Sequence, residues 1–235
     1  MKPEGASVSL PFARTQHNLP NYGNQDRISD GTQMRRFLTC LLLILTSFAL
    51  AGEIKETVAP KERLTKHVFL LVDVSGSITT KGKIPDALKA IRMITKQDTD
   101  DMEIALMVFD SNQARWPGIP DEHTRAGWAK LPSEEAVKQA QGFVELNTTA
   151  GGTWFQGPLQ TALQEKREDL SIVLISDGDN NQEGDDSILG TVSKAQELRE
   201  KEYGRAVIYV IDLTGDEDWM RQLASQNGGG HYVSK

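Results

Sequence analysis

The sequence predicts an α/β fold: a doubly wound, mostly parallel sheet with helices on both faces and one short antiparallel edge strand. Three observations carry that expectation. Apolar runs of strand length alternate with stretches whose apolar residues recur at helical spacing, the pattern of parallel strands joined by crossover helices. The runs are apolar at consecutive positions, as in Val68-Phe-Leu-Leu-Val72 and Ile172-Val-Leu-Ile175, which suits strands covered on both faces. Two of the runs end in turns dense with small oxygen donors. In doubly wound sheets ligands collect beyond the C-terminal strand ends, where the winding reverses.

The elements follow in order. His67–Val74 is β-branched and Leu-rich and reads as a buried strand. Ile84, Leu88, Ile91 and Ile94 mark a helix, with Pro85 tolerated in its first turn. The turn Asp98–Asp101 leads into a second apolar strand, Ile104–Phe109. Ala114–Trp116, stopped by Pro117, has room only for a short edge strand. Pro117–Pro132 is a loop that contains Trp128, and Ser133 opens the next helix as its N-cap, with Val137, Ala140 and Val144 on the apolar face.

Gly151-Gly152-Thr153 interrupts the chain before a short helix marked by Leu159, Ala162 and Leu163. Ser171–Ser176 reads as a central strand, ended by Asp177-Gly178. Ile188, Val192, Ala195 and Leu198 form a helical stripe, and Ala206–Leu213 is a further strand. Trp219, Met220 and Leu223 belong to a last helix, and Gly228–Val233 turns into a last short strand.

The N-terminal part has a different composition. Residues 34–51 read as a secretory signal peptide: Arg35-Arg36, an apolar run from Phe37 to about Leu50, and the small-residue site Ala49-Leu50-Ala51. The run is short for a membrane span, which needs about 20 apolar residues. An uncleaved signal would act as an N-terminal anchor; once cleaved, nothing inserts in a membrane. Residues 1–33 are polar and aperiodic, and read as a disordered extension or as residues upstream of a true start at Met34. Residues 52–65 read as a charged linker and 66–235 as the folded domain. The expected location is exported, either periplasmic or secreted.

Residues 1–51 hold five basic and three acidic groups of the chain's 26 and 33, which leaves the remainder at 21 and 30, net −9. Such an acidic domain excludes nucleic acid and anionic membranes as natural partners and favours cations. The single cysteine, Cys40, lies inside the signal, so no disulfide supports the mature domain. Asp73-Val-Ser75-Gly-Ser77 sends three oxygen side chains from the end of the first strand in quick succession, a donor set that suits a hard divalent cation.

Asp73-Val-Ser75-Gly-Ser77, Gly151-Gly-Thr153 and Ser176-Asp177-Gly178 together resemble the three segments of the metal-ion-dependent adhesion site of von Willebrand factor type A (VWA) domains. The resemblance spans about residues 66–234 and extends to the ending Leu223-Ala224 and Gly229-Gly230-His231-Tyr232. It implies a Rossmann-like VWA fold and a protein-interaction module rather than an enzyme. It also implies that Ser75, Ser77 and Thr153 coordinate the cation through hydroxyls, while Asp73 and Asp177 stand behind and hold coordinated waters. One position stays open for an Asp or Glu carboxylate of a protein partner. Mg²⁺ fits best, because it keeps waters and prefers octahedral oxygen geometry; Mn²⁺ and Ca²⁺ are alternatives. Trp154, Trp128 and Asp179 are the candidates for a partner-binding rim.

Two other readings compete. A metal-dependent hydrolase such as a phosphatase would use Asp73 as nucleophile, but the place of the second carboxylate, two residues on, holds Ser75. The other is a structural domain with a vestigial metal site. A serine hydrolase lacks its Gly-x-Ser-x-Gly elbow around Ser75. Asp177–Ile188 fails as a calcium loop, with Gln182 at the turn glycine and Ile188 at the bidentate Glu. Asp179, Glu183, Asp185 and Asp186 then read most simply as a solvated loop, and His67, His123 and His231 as structural.

Overall fold

The computed structural model describes residues 64–97, 101–119, 126–180, 183–215 and 217–234. The signal peptide, the N-terminal extension and the linker up to residue 63 lie outside the described residues. The linker's last two residues belong to the fold: Leu64 is buried in the core, and the Thr65 amide donates to Ser171 Oγ at 3.1 Å. No helix among the described residues is long and apolar enough to cross a membrane.

The strands are β1 (His67–Asp73), β2 (Glu103–Phe109), β3 (Gln113–Arg115), β4 (Ala129–Lys130), β5 (Leu170–Ser176), β6 (Val207–Asp212) and β7 (Gly228–Val233). The helices are α1 (Gly76–Thr80), α2 (Ile84–Thr95), α3 (Glu134–Leu146), α4 (Gln156–Leu163), α5 (Asp185–Tyr203) and α6 (Asp218–Gln226). The sheet order is β3-β2-β1-β5-β6-β7. β1, β2, β5, β6 and β7 run parallel, whereas β3 pairs antiparallel with β2 as the edge strand foreseen. The two-residue β4, inside what reads as a loop, adds a second antiparallel pairing to the same strand, through Glu103–Lys130 and Ile104–Ala129.

Each central strand divides its side chains between two cores, since successive residues point to opposite faces. Val68, Leu70 and Val72 of β1 pack with Ile91 of α2 and Val144 of α3, whereas Phe69 and Leu71 pack with Leu159, Ile188 and Leu223 of α4, α5 and α6. Burial on both sides explains why these strands are apolar at every position. α3 begins as its sequence signals: Ser133 Oγ accepts the Ala136 amide at 3.1 Å. In α5 the stripe holds only at first. Ile188 and Val192 are buried, Leu198 is exposed, and the inward positions of the second half are instead taken by Gln196, bonded to Ala206 and Asn227, and by Arg199. Arg199 donates to the carbonyls of Leu163, Glu165 and Arg167, and those partners let a charged residue replace an apolar one inside.

The chain winds outward from β1 to β2 and then crosses back to β5 on β1's other side. The reversal lies between β1 and β5. Asp73, at the end of β1, and Ser176, at the end of β5, therefore arrive at one edge of the sheet.

Candidate metal centre

β1 ends in Asp73, which is fully buried. Its two oxygens are committed: Oδ1 accepts the Ser75 amide at 2.9 Å and Oδ2 accepts the Ser176 hydroxyl at 2.6 Å. Ser176 Oγ in turn accepts the Gly178 amide at 2.9 Å, so one serine joins the β1 and β5 turns. Burial dominates the electrostatics of Asp73 and pushes its carboxyl up to about 6, against the hydrogen bonds from Ser176 and Ser75 that pull it down. A carboxylate that uncomfortable gains from a nearby cation.

From Asp73 the oxygens form a chain. Ser75 Oγ and Ser77 Oγ are 3.1 Å apart, and the Ser77 hydroxyl donates to Asp177 Oδ1 at 3.2 Å. The serine spacing is close to the ~3 Å edge of an octahedron with bonds of ~2.1 Å, the geometry Mg²⁺ demands. Asp177 is buried, and its second oxygen meets the Lys81 ammonium at 2.9 Å, so a positive charge already stands on that carboxylate. The hydrogen bond to Asp177 in turn holds the Lys81 ammonium above its usual range. Among the described residues no three His, Cys, Asp or Glu side chains gather in a metal-holding group. The donor set is instead two carboxylates with hydroxyls, which fits a hard, water-retaining cation.

Thr153 is buried on the adjoining loop, and several contacts set that loop's position. The Gly76 amide donates to the Gly151 carbonyl at 2.9 Å, and the Trp154 amide to the Asp110 carbonyl at 3.0 Å. A side chain at Gly76 would press on the Ala150 backbone at 3.0 Å, and one at Gly151 would strike the Asp110 carboxylate at 2.5 Å. Gly76 thus permits the close approach of the turn after β1 to the Thr153 loop, and Gly151 that of the same loop to the turn after β2. Beneath them Phe155 is wedged between Phe109 and Trp219, with ring centroids at 5.5 and 4.7 Å, and the Trp219 indole donates to the Gly178 carbonyl at 3.2 Å.

Ser176 stands in the third motif segment, where the sequence reading assigns it no role; its role is to tie Asp73 to Gly178. Other supporting residues lie outside the motif segments. Asp110, at the end of β2, accepts the Asn112 amide at 2.6 Å and the Thr149 hydroxyl at 2.7 Å, and so anchors the segment that leads to Thr153. Glu183, expected in a solvated loop, is half-buried and accepts the Phe155 amide at 2.7 Å and the Gln156 amide at 3.2 Å. It caps α4 from the β5–α5 loop. The only sequence hint was an acidic residue near Asp177; the pairing is tertiary.

The rim candidates divide. Trp154 is 37% exposed beside Thr153, and Asp179 is half-exposed, 3.5 Å from Lys81. Trp128 is not on a rim: it is fully buried near the start of β1, edge-on to His67 and Phe69, with the Arg167 guanidinium 5.1 Å from its ring centroid. A large indole in a loop found its burial by closing the lower end of the core. Further acids surround the site's far side, where burial and the fields of Asp185, Asp212, Asp179 and Asp177 raise the Glu217 carboxyl.

The family model described as "von Willebrand factor type A domain" matches residues 66–233. Among solved structures, the chain is similar to the von Willebrand factor type A protein from Catenulispora acidiphila, at 16% identity and a TM-score of 0.53, over 72% of this chain and 38% of that one. Proximal thread matrix protein 1 from the mussel byssus aligns at 17% identity and a TM-score of 0.45, over 72% and 41%. The SpRpn10 VWA domain aligns at 11% identity and 0.47, over 72% and 87%. The chain thus spans about two-fifths of the first two of these proteins. No curated protein matches it. A family match that runs from the residue before β1 to the last residue of β7, on a sheet that reverses between β1 and β5, makes the chain a member of the von Willebrand factor type A domain family.

Proposed function

We propose that this domain binds a divalent cation, Mg²⁺ by preference, at the C-terminal edge of its sheet and through it a carboxylate of a protein partner. VWA domains commonly serve as protein-interaction modules. The observation that carries the reading is the division of labour in the oxygen cluster. Asp73 has both oxygens occupied by Ser75 and Ser176, so it stands behind the site, while the Ser75 and Ser77 hydroxyls line up toward Asp177. Ser75, Ser77 and Thr153 would hold the ion, with Asp73 and Asp177 orienting them and accepting from its waters. A bound ion supplies Lewis acidity toward an incoming carboxylate. With hydroxyls rather than carboxylates as direct donors, little of the ion's charge is cancelled, and it retains appetite for an anion. Trp154 adds apolar contact area at the edge.

The same arrangement disfavours a phosphatase: a buried Asp73 with both oxygens hydrogen-bonded is poorly placed to attack. Export belongs to the same proposal, on the pattern of residues 34–51. The test is affinity capture from the exported fraction with wild type beside Ser75→Ala, in Mg²⁺ and in chelator. A partner retained only by wild type in Mg²⁺ is expected; equal capture in chelator would contradict the metal bridge. Mass determination of the mature N-terminus checks cleavage after Ala51.

A further inference from the structure

Lys81 belongs to no motif in the sequence, yet its ammonium makes the most direct polar contact with Asp177. Nζ lies 2.9 Å from Asp177 Oδ2 and 3.5 Å from Asp179 Oδ2. The backbone fixes where it starts: Lys81 follows α1 directly, and its amide donates to the Ser77 carbonyl at 2.9 Å. The side chain itself is 44% exposed, so it can leave the site without crossing packed core. The Asp177 side chain, by contrast, is wholly buried.

We propose that Lys81 is a tethered counter-cation of the metal centre, which competes with the divalent ion for Asp177 and thereby sets the site's affinity. The inference rests on the metal-binding reading above. An ion held by the Ser75 and Ser77 hydroxyls would stand beside Asp177 Oδ1, and its charge and waters would compete with the ammonium on Oδ2 for the same carboxylate. Asp179, half-exposed at the rim, offers the ammonium a second perch. The site then exchanges between a lysine-held and a metal-held form, and the observed metal affinity is reduced by the stability of the first. A competing single charge also favours ions that bring two.

The experiment is a calorimetric Mg²⁺ titration of the full chain, with Lys81→Met and, as a control of equal charge change, Lys83→Met, whose lysine pairs with Asp86 instead. Lys81→Met is expected to tighten Mg²⁺ binding on the order of tenfold, within the usual range of site-to-site coupling. Lys83→Met should stay near wild type. Melting in chelator supplies the second readout: Lys81→Met should lower the transition there yet show a larger Mg²⁺-induced rise. A merely structural lysine would lower the transition in both conditions and leave the affinity unchanged. Equal affinity in wild type and Lys81→Met, or weaker binding in the variant, overturns the proposal and leaves the metal site standing. Absence of Mg²⁺ binding in both chains overturns the two together.

Discussion

Asp73→Asn should flatten the pH dependence of stability in chelator. Burial raises the Asp73 carboxyl from 3.8 to about 6. A folded-state value above the unfolded one means that the group's contribution is fully present below about pH 3.8. It is lost as the pH rises through about 6. The whole gap corresponds to about 3 kcal/mol. Between about pH 5 and about pH 7.5 the part lost is on the order of 1 kcal/mol, or about 2–4 °C in Tm for a domain of this size. The asparagine variant retains a carbonyl for the Ser75 amide and cannot ionise, so it lacks this component. Urea unfolding of both chains in chelator at the two pH values measures the difference directly. Wild type should lose on the order of 1 kcal/mol more than the variant. In Mg²⁺ at the higher pH, wild type should recover stability and Asp73→Asn should recover far less. Superimposable pH profiles in chelator would refute the claim that burial of Asp73 costs the fold at neutral pH.

Glu183→Ala should cost ~1 kcal/mol in denaturant unfolding, the usual worth of a helix cap, because the Phe155 and Gln156 amides lose their acceptor; Glu183→Gln should recover part of it. Trp128→Ala should cost about 3–5 kcal/mol through the cavity it leaves, with unchanged Mg²⁺ affinity in the folded fraction. Trp154→Ala should leave stability within ~1 kcal/mol of wild type and weaken partner capture, since its ring is part-exposed at the site's edge.

The strands of the sheet's centre were legible because strands buried on both faces must be apolar at every position, as in Val68–Val72 and Ile172–Ile175. β4 and α1 were not. Two residues in β4 and five in α1 are too few for any periodicity, and both depend on tertiary pairing, β4 with β2 and α1 with the turn above β1. The second half of α5 misled for a different reason: Leu198 kept the helical spacing, but Gln196 and Arg199 had carbonyl and amide partners waiting inside. Trp128 misled because a loop position says nothing of burial.

The oxygen cluster divides in the same way. Asp73 and Asp177 stand at the ends of β1 and β5, and Ser75 and Ser77 at the turn into α1 that follows β1, where sequence and topology together place them. Asp110, Glu183 and Lys81 act through hydrogen bonds to residues distant in sequence, for which no local pattern exists, and Ser176, although inside the third segment, acts through a bond to the distant Asp73. The donors of a site like this are visible as a motif, whereas the residues that hold and balance them emerge only from the fold.

Mn²⁺ offers the most direct view of the central claim, because free Mn²⁺ gives a sharp paramagnetic resonance signal that binding broadens away. Titrated with the full chain, Mn²⁺ should bind at one site per chain, be displaced by Mg²⁺, and lose that site in Ser77→Ala and Thr153→Ala variants that still melt cooperatively. Binding of equal strength in wild type and both variants, or no binding by wild type, would contradict a metal held by these hydroxyls.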